Sequence, residues 1–368
     1  MFHFLERNFP SGYLSVPSVG AGTANTEFEC ISAMNLDFFG PGEYPYKTIL
    51  QKTACESMAF DMKNLGYKAH AVHNNEATFY DRHKVFAQLG FDTFTPIEYM
   101  YDIERNPTGW CKDKVLVGEI EKVLDSTIGS DFIYTISVQG HGKYPSFEYY
   151  CEQIHEMDEF VGQLINMLNT RMEPTVLVLY GDHLPGFEWT AQEMENESLF
   201  QTKYVVWNNV NLPAVKRNVE AYQLAAHVLN MLDIHEGTML RFHQRHLDAR
   251  DTDTQSYLDA MKLLQYDILY GDHEVYGGES PYQATQLEFG VTPIIQGTTV
   301  HNTDQVIVFG GPFNSWSKIC VNGKAADTQY YSKTRLIAKG VEPKEKEEIT
   351  VQQVGRDKIH LGTARKKQ

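Results

Sequence analysis

The chain has 368 residues, too many for one ordinary domain and enough for two domains with a large buried core. Hydrophobic residues make up 42% and charged residues 22%, which excludes extensive disorder; only the ends, such as the final ARKKQ, read as frayed. The formal net charge of -16 repels nucleic acid and anionic membrane surfaces, so an anionic substrate needs a local cationic site or a metal to hold it.

Five cysteines (Cys30, Cys55, Cys111, Cys151 and Cys320) show no C-x-x-C spacing, which excludes a zinc ribbon or a thioredoxin-like motif. Structural free thiols are the expected reading. No stretch approaches the roughly 20 apolar residues of a membrane span. The opening MFHFLERNFPSGYL lacks the basic-then-apolar order of a signal peptide. The chain alone is expected to be soluble, either working in the cytosol or preceded by a targeting segment upstream of Met1.

In chain order, 13–18 reads as a short strand, followed by Gly20, Ala21 and Gly22 and a helix starting near Thr23. Residues 47–66 place Leu50, Ala54, Met58, Met62 and Leu65 at helical spacing, with Gly66 as a stop. A strand at 67–73, a helix at 113–125, a strand at 131–138 and a helix at 147–169 follow. Pro174 breaks that helix, and TVLVLY (175–180) is a continuous apolar strand of the kind buried on both faces. A strand at 203–207, a helix at 219–232 and a helix at 255–266 complete this part. Strands alternating with helices predict an α/β fold, a mostly parallel sheet flanked by helices. From about residue 288 the texture changes to short β-rich runs separated by turns, Asn322-Gly323 being a hairpin dipeptide. This predicts domains at 1–287 and 288–368, the second a small β-sandwich.

Ligands of open parallel sheets bind beyond the carboxyl ends of the strands. Those ends carry Thr23 after the first strand, His73 after the second, His141 in QGHGKYP after the third, and Asp182-His183 after the apolar strand. Thr23 begins a helix, where an anion such as phosphate is favoured, and the flanking glycines permit close backbone approach. A capping role is the plain alternative, and Thr26 with Glu29 fits a capping box. Adjacent Asp182 and His183 suit a divalent ion taking oxygen and imidazole ligands. His141, between two glycines, suits a phosphate contact or a leaving-group acid. Arg82 could pair bidentately with phosphate or be a plain surface charge. A second YGDH, with Asp272-His273, follows a helical stretch and is read as coincidence.

These motifs, in this order over about residues 8–235, resemble the lipoteichoic acid synthase family of phosphoglycerol transferases, in the alkaline phosphatase superfamily. GAGTANTEFECISAMN resembles the nucleophile segment through Thr23, SVQGHGKYP the substrate-histidine segment through His141, and LVLYGDHLPG the metal segment through Asp182 and His183. AHAVHNNEATFYDRHKVFAQLGFDTF resembles a substrate segment, with His73, Asn75, Tyr80 and Arg82 as contacts; several family members have an acid at Asn75 and Trp at Tyr80. The resemblance implies an alkaline-phosphatase-like sheet and one divalent metal, Mn²⁺ first with Zn²⁺ or Mg²⁺ as alternatives, bound by Thr23, Asp182 and His183. It implies a glycerophosphoryl-Thr23 intermediate formed from phosphatidylglycerol and passed to a glycerol-bearing acceptor. It also implies a first strand ending in a glutamate metal ligand and membrane helices, both upstream of Met1, since Glu6 and Glu27 follow no suitable strand. The full-length protein would then act at the outer face of a bacterial cell membrane. The part after 288 resembles an immunoglobulin-like IPT/TIG module. A phosphoethanolamine transferase or phosphodiesterase would share metal and Thr; a degraded, non-catalytic scaffold would retain only the fold. A sulfatase chemistry needs C/S-x-P-x-R, which none of the cysteines supplies.

Overall fold

The computed structural model describes residues 1–247, 254–341 and 347–367. Its first part contains β1 (Ser11–Ser15), β2 (Lys68–His73), β3 (Thr93–Pro96), β4 (Asp131–Ile136), β5 (Val176–Tyr180), β6 (Gln201–Asn208), β7 (Val219–Glu220) and β8 (Glu288–Phe289). The helices are α1 (Phe2–Asn8), α2 (Thr23–Ser32), α3 (Met58–Asn64), α4 (Arg82–Gln88), α5 (Val115–Ser126), α6 (Phe147–Arg171), α7 (Ala221–Met231), α8 (Thr238–Leu247) and α9 (Thr254–Leu269). The α/β architecture expected from the alternation is present, with the sheet in two halves. One half is wholly parallel, in the order β4-β2-β3-β8. The other runs β5-β6-β1-β7, with β6 antiparallel to both neighbours.

Strands β4 and β5 are the facing edges of the two halves. Between them lies a cavity of about 940 Å³, lined along both strands from Gly129 to Ser137 and from Glu173 to Asp182. Side chains of α5 and α6, such as Ile120 and Leu164, and of α7, such as Leu224 and Val228, complete its walls. The hydroxyls of Tyr134 and Tyr180 meet across it. The expectation that the apolar 175–180 strand is buried on both faces is therefore corrected. All five residues of β5 are only half-buried, because one edge borders the cavity instead of another strand.

The helix expected over 47–66 is also corrected. Two single 3₁₀ turns, Pro45–Lys47 and Ile49–Gln51, precede α3. The helix restarts where the Ser57 hydroxyl accepts the Phe60 amide at 3.3 Å. Buried Glu56 meanwhile accepts the Met239 amide at 2.6 Å and the Tyr276 hydroxyl at 2.6 Å. These tertiary bonds override the apolar spacing that suggested one long helix.

The C-terminal strands are β9 (Ile295–Asn302), β10 (Gln305–Gly311), β11 (Ser317–Val321), β12 (Lys324–Ala325), β13 (Thr328–Ser332), β14 (Arg335–Lys339), β15 (Ile349–Val354), β16 (His360–Thr363) and β17 (Arg365–Lys366). They form sheets in the orders β13-β14-β10-β9-β17 and β12-β11-β15-β16. Asn322 and Gly323, both at positive φ, make the two-residue turn between β11 and β12. The tail expected to fray is pinned instead: Arg365 and Lys366 pair in parallel with β9. The β-rich part docks on residues 98–102: the Asn314 amide donates to the Glu98 carbonyl at 2.8 Å and the Tyr101 hydroxyl to the Pro312 carbonyl at 2.9 Å.

Backbone amides facing the cavity from β4 and β5 have no ladder partner there. In hydrogen exchange, peptides covering 131–136 and 176–180 are expected to exchange faster than those covering 68–73 and 201–208. Equal protection would show that the two edges are already paired in solution.

A second prediction concerns pH. Burial pushes the Glu29 carboxyl up to about 8 and Glu98 up to about 7, so both hold protons in the folded state that the unfolded chain has lost. Each contributes stability that is complete below the ordinary carboxylate range and is lost as pH rises toward those values. The melting temperature should fall between pH 5 and 8, and Glu29→Gln should flatten part of that fall, stabilising the protein by about 2 kcal/mol at pH 8. A wild-type melting temperature constant over this range would contradict it.

Candidate active site

Thr23 is the first residue of α2, preceded by Gly22 at a φ of 102°. A Cβ on Gly22 would lie 2.7 Å from the Ser18 hydroxyl, so the turn that aims Thr23 needs glycine both for conformation and for space. The Gly22–Thr23 turn is seated on the loop after β5. The Gly20 amide donates to the Leu184 carbonyl at 2.9 Å, and a Cβ on Gly186 would approach the Gly20 carbonyl oxygen to 3.2 Å. Thr26, one turn along α2, donates its hydroxyl to the Asp182 carbonyl at 2.6 Å. The capping box expected of Thr26 and Glu29 is thus corrected: no side chain caps α2, and Glu29 instead accepts the Leu36 amide at 2.8 Å. Thr26 is a tie between two chain segments, and Thr23, Glu27 and Asp182 line the same cavity.

His183 donates Nδ1–H to the Leu184 carbonyl at 2.8 Å. Its other ring nitrogen, Nε2, lies 3.4 Å from Asp182 Oδ2. An imidazole nitrogen beside a carboxylate oxygen is the donor pair a divalent ion uses. The donors fit such an ion in kind. Among the described residues, no group of three or more His, Cys, Asp or Glu forms a complete set. The Thr23 hydroxyl is the remaining oxygen that the resemblance implies.

His73, at the end of β2, is 2% exposed and donates Nδ1–H to the Ile136 carbonyl at 2.9 Å. Burial, the Arg82 charge and His141 hold its pKa well below the usual histidine range, so the ring is neutral. Among the described residues its Nε2 has no hydrogen-bond partner, and neither does the Asn75 side-chain nitrogen. An acceptor and a donor are thus left open in one neighbourhood, which is how an unfilled polar subsite presents itself. Tyr80 stands at a φ of 56°, where burial raises its phenol pKa and both Asp182 and Glu27 act on it. Half-buried His141 packs against the Trp110 ring at 4.6 Å and bonds the Gly142 carbonyl at 2.6 Å. The second Asp-His copy, Asp272-His273, follows the end of α9 and joins none of these groups.

Arg82 is not a surface charge. It is fully buried, with Nε and Nη2 on Glu27 at 3.1 Å and 2.7 Å and Nη1 on the Phe79 carbonyl at 3.2 Å. Glu27 also accepts the Tyr46 hydroxyl at 2.7 Å. Glu27 lines the same cavity as Thr23, a placement that sequence reasoning passed over because the residue follows no strand. The available signal was its spacing: four residues after Thr23, it shares that residue's helix face. Glu6 pairs with Lys203 at 2.7 Å.

A buried pair is most costly when one partner is removed. Arg82→Ala and Glu27→Ala should each destabilise the fold by about 3–5 kcal/mol, and the double variant by less than their sum, read by denaturant unfolding. Additive losses would mean that the two side chains do not depend on each other.

The model of the family described as Sulfatase matches residues 4–234. A putative cyclic beta-1,2-glucan modification protein of Rhizobium meliloti (strain 1021) is 26% identical over 58% of this chain and 38% of its own length. The capsular polysaccharide biosynthesis protein RkpI of the same organism is 28% identical over 47% of this chain and 34% of its own. The matches thus span little more than a third of these relatives. Among solved structures, the Streptococcus pyogenes phosphoglycerol transferase GacH, in complex with sn-glycerol-1-phosphate, superposes with a TM-score of 0.64 at 19% identity, covering 77% of this chain and 82% of that one. The lipoteichoic acid synthase LtaP from Listeria monocytogenes gives 0.53 at 18% identity over 65% and 67% of the two chains. With an alkaline-phosphatase-like α/β core in place, the chain belongs to the sulfatase family of the alkaline phosphatase superfamily.

Proposed function

We propose that this chain is the catalytic part of a metal-dependent phosphoglycerol transferase that works through a covalent Thr23 intermediate. The observation that carries the reading is the seating of α2 on the Asp182-His183 loop through the Thr26 hydroxyl, with Thr23 and Asp182 lining one cavity. The fold shared with GacH and LtaP supports it. The two Rhizobium relatives, described as acting in glucan modification and capsular polysaccharide biosynthesis, favour a saccharide hydroxyl as the acceptor. A glycolipid or a growing polyglycerolphosphate is the other acceptor of the same chemistry. In the longer protein the site would face the outside of a bacterial cell membrane; among the described residues no helix is long and apolar enough to cross one.

The donor is the head group of phosphatidylglycerol. Thr23 Oγ forms a bond to phosphorus as the bond to the diacylglycerol oxygen breaks; the Thr23 hydroxyl proton passes to solvent and His141 supplies the leaving oxygen's proton. The acceptor hydroxyl then attacks phosphorus and gives its proton back to His141, while the Thr23 ester bond breaks and Thr23 Oγ takes a proton from solvent. The N-terminus of α2 favours the phosphoryl charge. The open acceptor on His73 and the open donor on Asn75 suit the glycerol hydroxyls, with Tyr80 beside them. A divalent ion on Asp182 and His183, Mn²⁺ before Zn²⁺ or Mg²⁺, would lower the hydroxyl pKa and neutralise phosphoryl oxygens. Arg82 orients Glu27 and, through it, the face of α2 that carries Thr23; while it holds Glu27 and the Phe79 carbonyl, Nη1 and Nη2 each keep one further N–H that would meet a phosphate oxygen. The cavity between β4 and β5 has two unpaired strand edges and ends at Thr23 and Asp182. A further strand ending in a glutamate ligand, as the resemblance implies, would fit there.

The test is intact-protein mass spectrometry after incubation with Mn²⁺ and a phosphatidylglycerol analogue. A gain of roughly 154 Da, the glycerophosphoryl group, is expected on the wild type and not on Thr23→Ala. An adduct only on a longer chain carrying an additional strand would place the missing ligand there. No adduct on either, with a phosphoethanolamine adduct from the corresponding lipid instead, would shift the assignment to that head group; none from any donor would leave a binding role.

A further inference from the structure

Beside the site lies a surface made almost entirely of aromatic rings. Tyr144 follows β4, Phe147 and Tyr150 open α6, and Phe187 and Trp189 follow β5. Phe187 is the centre, 5.1 Å from Tyr144 with the rings stacked at 26°, 5.6 Å from Tyr150, 5.8 Å from Phe147 and 5.0 Å from Trp189. Trp189 closes the set against Phe147 at 6.1 Å. Phe147 is 52% exposed and the other four rings are half-buried. An aromatic cluster that is only partly covered marks a binding surface.

The platform is continuous with the reacting groups. It stands on the two segments that carry His141 and Asp182-His183, and the Tyr144 hydroxyl donates to the Gly140 carbonyl at 3.0 Å. The Asp182 charge also contributes to raising the phenols of Tyr144 and Tyr150. The same segments carry the exposed carboxylates of Glu148, Glu152 and Glu188, against one exposed cation, Lys143. An acidic excess there, on a chain of net charge -16, disfavours an anionic bilayer or polyanion. It favours a neutral ligand that presents C–H faces to π clouds and hydroxyl donors to carboxylates. Pyranose rings have both features.

We propose that Tyr144, Phe147, Tyr150, Phe187 and Trp189 form an acceptor subsite that stacks neutral pyranose rings of a saccharide next to Thr23. This rests on the transferase reading and assigns the place where its acceptor is held.

The test is direct binding of a neutral gluco-oligosaccharide to the full chain, followed by tryptophan fluorescence and by saturation-transfer NMR. Wild type should bind, and Trp189→Ala and Phe147→Ala should each weaken binding by about tenfold or more, loss of one stacked ring being of that order. Phe147→Leu, which keeps apolar volume without a π face, should also bind weakly, separating stacking from local unfolding. Unchanged binding in these variants, or no binding by the wild type, would overturn the proposal. So would vesicle binding that depends on Trp189 and Phe147 while oligosaccharide binding does not, since the platform would then be a membrane contact. Thr23→Ala separates the two readings. Platform-dependent saccharide binding without any Thr23 adduct upholds the subsite and sinks the transferase; an adduct without saccharide binding does the reverse.

Discussion

The site depends on one short connection, the hydrogen bond from the Thr26 hydroxyl to the Asp182 carbonyl, made possible by the close crossing at Gly20 and Gly186. Two chain segments more than 150 residues apart in sequence are held there at backbone contact. Side chains three and four residues apart share a helix face, so one turn of α2 delivers Thr23 to the cavity, Thr26 to Asp182 and Glu27 to Arg82. A Cβ on either crossing glycine would sit 3.2 Å from the other, so the helix start and the loop would have to move apart to admit it. The chemistry is thereby coupled to packing at two residues that carry no functional group.

Burial sets the charge pattern behind that connection. The Glu27–Arg82 pair is almost inaccessible to solvent, and each partner is further satisfied, Glu27 by Tyr46 and Arg82 by the Phe79 carbonyl. Its positive charge keeps neighbouring His73 neutral, and neutrality preserves a lone pair on Nε2. The cavity between β4 and β5 adds an opening in the middle of the fold. Sheet strands pair at about 4.8 Å, and here the two edges are instead bridged by tyrosine hydroxyls at the tips of long side chains. The opening reaches the catalytic rim, so whatever occupies it is felt by Thr23 and Asp182.

Much of this was legible in the sequence because it is local. The order of strands, the helix starting at Thr23, the hairpin at Asn322-Gly323 and the change of texture near 288 follow from periodicity and turn chemistry. What was not legible depends on distant partners. Apolar spacing over 47–66 describes a helix only until Glu56 is drawn to Met239 and Tyr276. The apolar run 175–180 describes a fully buried strand only if both its edges are paired. Arg82 looks like a surface charge until a carboxylate 55 positions away holds it in the interior. The aromatic platform gathers rings from two separate loops, and neither loop alone has a period or motif.

The central claim is that phosphorus is transferred in two displacements through Thr23. Each in-line displacement inverts configuration, so two restore it. A phosphatidylglycerol analogue with a chiral phosphorothioate should therefore give a transfer product of retained configuration. Inverted product would mean that the acceptor attacks the donor directly and that Thr23 is not the nucleophile.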